Sequence, residues 1–331
     1  MRPCAAPARR ARPAPAWRAA APTRGEAPHG TTSAATHPRH PVFTLLIRPM
    51  PARIEPQTLN GHPVIALSTA GGARAVVSPF GAQVLSWQPA RDQERLYLSP
   101  QARYDGSSPI RGGIPVCFPQ FAGLGKLPKH GLARTCSWTP GEERTGDDFA
   151  LLTLRLTEDE ETRALWPHAF SAELTVVLEN DRLDLELEIE NTGYAPFAFT
   201  AALHTYLRVR EVENMRLEGL YGYDYRDASD HDRVKRDSGD VVTVDAEIDR
   251  VYHDVARPLL LRDSDRSLGI HAEGFPDVVV WNPWETRCAA LPDMPANGFR
   301  HMLCVEAAAA RHKIELDAGA EWYGRQTLMV L

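Results

Sequence analysis

The sequence predicts an all-β protein built as a large antiparallel β-sandwich with few short helices. From Leu183 to Glu190, apolar and acidic residues alternate strictly, which is typical of a half-buried strand in an antiparallel sheet. Similar short apolar runs recur along the chain between turns rich in Gly, Pro, Asn and Asp. Many short strands separated by such turns indicate packed antiparallel sheets rather than helical layers.

The expected strands are spread along the chain. Leu174–Leu178 forms the hairpin arm that precedes the alternating segment. Further strands are predicted at Val64–Leu67, Ala75–Val77, Val84–Trp87, Leu151–Leu156, Val241–Val244, Leu259–Leu261, Val278–Trp281, Met302–Val305 and Thr327–Leu331. Convincing helices are few, because Leu165–Ala169 contains Pro167 and Ala307–Arg311 is too short to be stable alone.

Residues 1–50 differ in composition from the rest of the chain. They contain 12 Ala, 9 Pro and 8 Arg with a single acid, Glu26, and show no hydrophobic periodicity. This composition predicts a disordered leader, followed by one domain at residues 51–331. The leader is interpreted as dispensable or untranslated, with Met50 as the true start, or as a basic arm for nucleic acid.

Charge and cysteine content exclude several classes of protein. The leader has a charge of +7, so a net charge of −6 leaves −13 for the remainder, which would repel nucleic acid. No apolar run reaches 18 residues, so we expect no membrane span. Five cysteines without C-x-x-C spacing suggest neither disulfides nor a zinc site. A cytoplasmic monomer is expected.

One basic loop stands out in this acidic chain. The segment "IRGGIPVCFPQFAGLGKLPKHGLAR" covers residues 110–134, and no Asp or Glu occurs between Gly106 and Gly141. Its basic residues are Arg111, Lys126, Lys129, His130 and Arg134. From the residues alone, the loop is either a solvated basic surface or a site for an anionic ligand such as phosphate, which charge-assisted donors bind well.

A histidine lies on the small-residue face of the predicted strand "PFAFTAALHTYLRV", at residues 196–209. With the two-residue period of a strand, one face consists of Ala198, Thr200, Ala202, His204 and Tyr206. Small side chains beside an imidazole leave a cavity, as expected for a strand that lines a ligand cleft. The alternative is a core histidine bonded to a neighbouring carbonyl group.

A carboxylate ends the apolar stripe of the segment "RHMLCVEAA", at residues 300–308. Met302, Cys304 and Glu306 share one face of this strand. An unpaired buried carboxylate is costly, so Glu306 either meets a partner or ligand or lies in solvent at the strand end. Together, an inward His204 and an inward Glu306 are the acid and base that a proton-transfer enzyme needs.

Two aromatic segments allow more than one interpretation. The Tyr221–Asp227 segment is expected to be a loop that packs on a sheet edge. The segment 278–285 is expected to be a buried strand that ends in a turn rich in tryptophan. There, Trp281 or Trp284 either stacks on a sugar face or packs in the core.

Six segments, in this order, match one known family: "RGGIPVCFPQF", "LPKHGLAR", "LHTYLRV", "IDRVY", "VVVWNPW" and "CVEAA". They resemble the glucose-6-phosphate 1-epimerases, or hexose-6-phosphate mutarotases, of the aldose 1-epimerase (galactose mutarotase-like) superfamily. The resemblance covers about Gly61–Leu331. It implies a galactose mutarotase-like supersandwich and an isomerase that interconverts the α and β anomers of a hexose 6-phosphate, without a metal or other cofactor.

The resemblance also implies roles for individual residues. His204 corresponds to the family's general acid on the ring oxygen, and Glu306 to the general base on the anomeric hydroxyl. Arg111 and Arg134 match positions that hold the sugar phosphate. Asp249 matches a residue that binds the sugar hydroxyls.

Two positions depart from the family pattern. Lys129 stands where relatives often have Gln, and it adds charge near the expected phosphate. Lys129 and the next residue, His130, are both expected to bind the substrate. Ala307 and Ala308 replace a Pro-Gly turn that often follows the glutamate, so the pose of the carboxylate is left open.

Three alternatives remain open from the sequence. An aldose 1-epimerase for unphosphorylated sugars would share His204 and Glu306 but would not need Arg111 and Arg134. A carbohydrate-binding module would bind sugar without catalysis, and a sugar-phosphate sensor would keep the pocket without the chemistry. The preferred hexose 6-phosphate is not specified by these patterns.

Overall fold

The computed structural model of the chain describes residues 51–331, most of which lie in strands. These residues belong to one unit that runs from Arg48 to Leu331. The predicted leader lies outside the described residues, so its disorder and the boundary after Met50 stay predictions. Between residues 51 and 331, every helix is too short or too polar to cross a membrane.

The described part of the chain forms 21 strands. In chain order they are β1 (Arg53–Leu59), β2 (His62–Ser68), β3 (Arg74–Ser78), β4 (Gln83–Gln88), β5 (Val116–Cys117), β6 (Thr139–Thr145), β7 (Phe149–Thr157), β8 (Ser171–Glu179), β9 (Arg182–Glu190), β10 (Phe197–Leu203), β11 (Tyr206–Arg208), β12 (Arg216–Glu218), β13 (Asp224–Asp227), β14 (Arg233–Arg236), β15 (Val241–Val242), β16 (Ile248–Tyr252), β17 (Leu259–Asp263), β18 (Arg266–Glu273), β19 (Asp277–Asn282), β20 (Met302–Leu316) and β21 (Glu321–Val330).

Helices are few and short, as the sequence predicts. Within the described residues there are two α-helices, α1 (Glu160–Leu165) and α2 (Trp284–Ala289), and 3₁₀ turns at Ala133–Thr135, Val212–Asn214, Ala228–Asp230 and Gly298–His301. A capping box begins α1: the Asp159 carboxylate accepts from the Thr162 N–H, and the Asp159 N–H donates to the Thr162 hydroxyl. A helix at Leu165–Ala169 does not form, since α1 ends before Pro167.

The strands form three antiparallel sheets, which confirms the predicted class. β1 to β4 make one sheet in chain order. A second sheet has the order β14-β13-β16-β19-β20-β10-β5, with β11 also paired to β20. The third has the order β15-β12-β17-β18-β21-β9-β8-β7-β6. The main apolar core contains side chains from all three sheets, for example Trp87, Leu185 and Phe199.

Tertiary pairing decides the conformation of two segments, and the prediction of an edge loop is wrong for the second of them. Ala307–Arg311 is part of the long strand β20, where Ala307 lies between Leu203 of β10 and Val278 of β19. The residues Asp224–Asp227 are not an edge loop but strand β13, which pairs with β14 on one side and β16 on the other. Both segments are short and weakly patterned, so their partners determine their conformation.

The second sheet has an apolar outer face that we call the floor. Its buried members are Cys117, Phe121, Ala202, Val251, Val279, Ala308 and Ala310. Most of these side chains are small, so the strands present a shallow surface. The opposite face of the same sheet packs on the main core through residues such as Phe199 and Val305.

A buried glutamine of the third sheet supports the second sheet. The Thr205 hydroxyl donates to the Gln326 side-chain oxygen, and Gln326 Nε2 donates to the Val305 carbonyl at 3.1 Å. The Val305 N–H also donates to the Thr205 carbonyl at 3.1 Å. Gln326 therefore joins the two backbone segments that precede Glu306 and follow His204.

Replacing Gln326 with Met should destabilise the protein, because the buried Thr205 hydroxyl and Val305 carbonyl lose a partner. We expect a loss of about 1–3 kcal/mol in the free energy of unfolding, measured by urea denaturation. The same change at the exposed Gln57 should alter that free energy by less than about 0.5 kcal/mol. Equal stability of the two variants would contradict a supporting role for Gln326.

Candidate active site

A pocket of about 460 Å³ opens over the floor of the second sheet. All seven site residues expected from the sequence line it: Arg111, Lys129, His130, Arg134, His204, Asp249 and Glu306. Trp281 also lines the pocket, whereas Trp284 is not among the lining residues and packs against Phe299. Lys126 is not part of the lining either.

Strand register brings the site residues together across four strands. In neighbouring strands, Asp249 lies opposite Trp281, Trp281 opposite Cys304, and Cys304 opposite Tyr206. Residues directly opposite one another point to the same face of a sheet. The row therefore places a carboxylate, an indole, a thiol and a phenol on one face, although they are far apart in sequence.

The next row supplies the acidic group at the centre of the pocket. Glu306 lies two residues after Cys304 and opposite Val279, which in turn lies opposite Val251. His204 lies two residues before Tyr206, and its backbone N–H donates to the Pro115 carbonyl at 2.9 Å. The two-residue period that the sequence predicted thus places His204 and Glu306 side by side.

His204 and Glu306, which we call the buried pair, are in direct contact. His204 Nδ1 lies 3.3 Å from Glu306 Oε1, and the two residues are 8% and 1% exposed. Neither His204 Nδ1 nor Glu306 Oε2 has a hydrogen-bond partner among the described residues. Buried polar atoms without partners are costly, so these atoms are suited to meet the hydroxyl groups of a ligand.

Burial shifts both members of the pair toward their neutral forms. It lowers the pKa of His204 well below the usual range, and the nearby His130, Arg134 and Arg111 lower it further. Burial raises the pKa of Glu306, and the negative charge of the Asp249 carboxylate raises it further. The positive charge of Lys129 acts in the opposite direction. Both shifts favour the state in which the imidazole is neutral and the carboxyl group carries the proton of the pair.

Tyr206 and Arg111 fix the ring of His204. The rings of His204 and Tyr206 are stacked, with centroids 4.8 Å apart and planes 10° apart. Arg111 donates to the Tyr206 hydroxyl at 3.0 Å and, through Nε, to Asp293 at 3.2 Å. The other N–H groups of Arg111 have no hydrogen-bond partner among the described residues and can donate to a ligand.

Two glycines allow the basic loop to pass close to other backbone segments. Gly112, in the "RGG" motif, has φ of 113°, and a Cβ there would lie 2.3 Å from the Tyr97 carbonyl oxygen. Gly131 has φ of 74°, and its Cβ would lie 2.2 Å from the Phe118 carbonyl oxygen. His130 itself has φ of 66°, a conformation that few residues other than glycine adopt. The loop geometry is thus specific to this sequence.

His130 faces the pocket as a neutral imidazole. Its Nδ1 accepts from the Ala122 N–H at 3.3 Å and lies 3.3 Å from Cys117 Sγ. Burial lowers the pKa of His130 to about 3, with Arg134 and Lys129 adding to the effect. The ring lies 5.2 Å from that of His204. Since Nδ1 is an acceptor, Nε2 of His130 bears the proton and can donate to a ligand.

Two further arginines of the pocket were not found from the sequence. Arg226 belongs to β13 and Arg287 to α2, and both line the pocket with Lys129 and Arg134. Burial lowers the pKa of Lys129, and the nearby positive charge of Arg287 lowers it further. No local pattern marks these arginines, because the segment of β13 was predicted to be a loop and that of α2 a turn.

The pocket therefore combines the buried pair with a basic wall, formed by Arg111, Lys129, Arg134, Arg226 and Arg287. Tyr206 and Asp293 were also not predicted to be site residues. Tyr206 shares the predicted inward face with His204, so the strand pattern could have identified it. Asp293 follows α2, and its role becomes visible only through its contact with Arg111.

Comparisons with known proteins identify the family of the chain. The sequence profile of the aldose 1-epimerase family matches residues 63–328. The chain belongs to the aldose 1-epimerase family. It is therefore an isomerase, and the family resemblance of the six motifs is confirmed.

Several members of the aldose 1-epimerase family are similar over most of the chain. A Cenchrus ciliaris protein named "Putative glucose-6-phosphate 1-epimerase" is 35% identical over 282 residues, covering 82% of this chain and 86% of that protein. An Escherichia coli protein of the same name is 33% identical and covers 70% of this chain, with 78% of its own length matched.

Solved structures support the fold. A crystal structure described as a "putative mutarotase" from Salmonella typhimurium has a TM-score of 0.78 and 27% identity, covering 84% of this chain and 93% of that chain. A galactose mutarotase-like protein from Clostridium acetobutylicum has a TM-score of 0.66 at 16% identity, with 85% and 99% of the two chains covered, and it shows the fold alone.

Two substitutions that each remove one charge should shift the pKa of Glu306 in opposite directions. Asp249→Asn removes a negative charge that favours the protonated carboxyl group, so the pKa of Glu306 should fall. Lys129→Gln removes a positive charge that favours the carboxylate, so the pKa should rise. Infrared spectroscopy of the carboxyl group against pH, with Glu306→Gln as the blank, measures both shifts.

The exposed Lys313, outside the pocket lining, offers a charge-matched control. Lys313→Gln should leave the titration of Glu306 unchanged. Shifts of the Asp249 and Lys129 variants in the same direction would contradict the assigned electrostatics.

Proposed function

We propose that the protein interconverts the α and β anomers of a hexose 6-phosphate, with glucose 6-phosphate as the expected substrate. The observation that carries this proposal is the shared pocket of the buried pair and the basic side chains of Arg111, Lys129, Arg134, Arg226 and Arg287. The names of the two similar proteins also support a phosphorylated substrate.

The proposed reaction opens and closes the sugar ring. Glu306 as a carboxylate takes the proton of the C1 hydroxyl, and the protonated imidazole of His204 gives its proton to the ring oxygen. The C1–O5 bond breaks, and a free aldehyde forms with a hydroxyl group at C5. Rotation about the C1–C2 bond and attack of that hydroxyl on the other face close the ring, and both protons return.

The contact within the buried pair supplies the starting state. In the pocket without sugar, the pKa shifts favour a neutral imidazole and a protonated carboxyl group. Passing the one proton from Glu306 to His204, across the 3.3 Å contact, produces the carboxylate and imidazolium that the reaction uses. Because O1 and O5 are both bonded to C1, one pair of adjacent groups can reach both oxygens.

The basic wall would hold the phosphate group. Lys129 forms no ion pair within 4.0 Å among the described residues, whereas Arg287 contacts Glu247 and Arg226 contacts Asp232. Arg134 donates to the Lys129 carbonyl at 2.6 Å, which fixes the loop. Each charge-assisted hydrogen bond to phosphate contributes about 1.5–3 kcal/mol. Such groups therefore favour the phosphorylated sugar over the free one.

The decisive experiment compares two sugars. Freshly dissolved α-glucose 6-phosphate and α-glucose are followed by NMR exchange spectroscopy with and without the protein. Selective acceleration of the phosphorylated sugar is expected. Acceleration of glucose alone would favour an epimerase for unphosphorylated sugars, and no acceleration of either would favour a binding or sensor protein.

Variants of the basic wall sharpen the same comparison. Arg134→Ala and Arg287→Ala should raise KM for glucose 6-phosphate about 10- to 100-fold without a similar change for glucose. Arg155→Ala is a matched control, since Arg155 is exposed and paired with Glu173 outside the pocket. Arg111→Ala is less specific, because Arg111 also contacts Tyr206.

Removal of either member of the buried pair should slow the chemical step. Glu306→Gln and His204→Ala are each expected to lower kcat about 10²- to 10⁴-fold, because each loses one proton-transfer group. Circular dichroism and the melting temperature establish that the variants remain folded. If a folded variant keeps the parental kcat, the substituted residue has no part in the mechanism.

A further inference from the structure

Cys304 is a buried thiol that the proposed reaction does not use. It lies between Tyr206 and Trp281 in the sheet register, two residues before Glu306 on the same strand face. One ligand atom each from His204, Cys304 and Glu306 lies within 4.8 Å of the others. An imidazole nitrogen, a thiol and a carboxylate thus converge at one point below the pocket.

This set of atoms matches the ligand preferences of zinc. Zn²⁺ binds imidazole nitrogen and carboxylate oxygen at about 2.0–2.2 Å in a tetrahedron, which places two such ligand atoms about 3.3 Å apart. The His204 Nδ1 to Glu306 Oε1 distance is 3.3 Å, so this pair already has the required spacing. His204 Nδ1 and Glu306 Oε2 also lack partners among the described residues.

We propose that His204, Cys304 and Glu306 form an inhibitory binding site for Zn²⁺ or a similar thiophilic divalent cation. The three side chains supply three ligands, and a water molecule from the pocket supplies the fourth. Binding forms a metal–sulfur bond and releases the thiol proton to solvent, together with the proton of the buried pair. No oxidant or reductant is involved.

The charges around the site determine how strongly such an ion binds. The bound thiolate and the Glu306 and Asp249 carboxylates favour a divalent cation. Arg111 and Arg134 oppose it, although Arg111 is partly neutralised by Asp293. Competition between the metal and a sugar rests on the proposed function, because both would occupy the buried pair. Metal binding itself does not depend on that function.

Cobalt absorption tests the site without an activity assay. Co²⁺ replaces Zn²⁺ at such sites, and a thiolate ligand gives a charge-transfer band in the near ultraviolet. The band is expected for the wild type, together with visible bands of tetrahedral Co²⁺, and it should be absent from Cys304→Ala. Cys136→Ala is the matched control, since Cys136 is a free, half-exposed thiol outside the pocket lining.

Several results would overturn the proposal. They are a wild type without the thiolate band, a band that survives in Cys304→Ala, and a band that is lost in Cys136→Ala. Cys304→Ser, which is closer in size, serves if Cys304→Ala does not fold. The cobalt measurement stays informative even if glucose 6-phosphate is not a substrate.

Inhibition gives a second, independent measurement. Zn²⁺ should inhibit anomer exchange by the wild type, competitively with the sugar and reversibly with EDTA. Cys304→Ala should keep the basal rate but need at least about tenfold more Zn²⁺ for half inhibition. Equal zinc sensitivity of the two proteins, or inhibition that the sugar does not relieve, would contradict a site at Cys304.

Discussion

The spacing of the buried pair depends on a backbone contact rather than on the two side chains. The Val305 N–H donates to the Thr205 carbonyl, and Gln326 reaches from the third sheet to Thr205 and Val305. His204 lies directly before Thr205, and Glu306 lies directly after Val305. Sites built on paired strands are held more precisely than sites on loops, and here the two sheets hold both segments at once.

The pocket concentrates two kinds of unfavourable energy that a sugar phosphate would relieve. The buried pair has polar atoms without partners among the described residues. On the wall, burial lowers the pKa of Lys129, and the crowded basic groups of Arg287, Arg134 and Arg111 lower it further. Sugar hydroxyl groups would satisfy the first and a phosphate dianion the second. Both features are expected of a ligand site, where stability is lost in favour of binding.

Local patterns predicted much of the fold and the centre of the site. The strict alternation of β9 and the inward faces with His204 and Glu306 follow from a period of two, which needs no knowledge of partners. Arg226, Arg287 and Asp293 could not be predicted in this way, because their roles arise from elements distant in sequence. The continuation of β20 beyond Ala308 was not predicted for the same reason, since pairing with β10 defines it.

The floor and the wall of the pocket differ in how they can change. Strand register fixes the floor, so a shift of one residue would turn Glu306 away from His204. Arg226 and Arg287 lie on β13 and α2, outside the β10, β11 and β20 segments that hold the buried pair. Substitutions there can therefore change the charge of the wall without disturbing the buried pair. Arg111 is different: it lines the pocket and contacts Tyr206, which stacks on His204, so a change at Arg111 would reach both the wall and the buried pair.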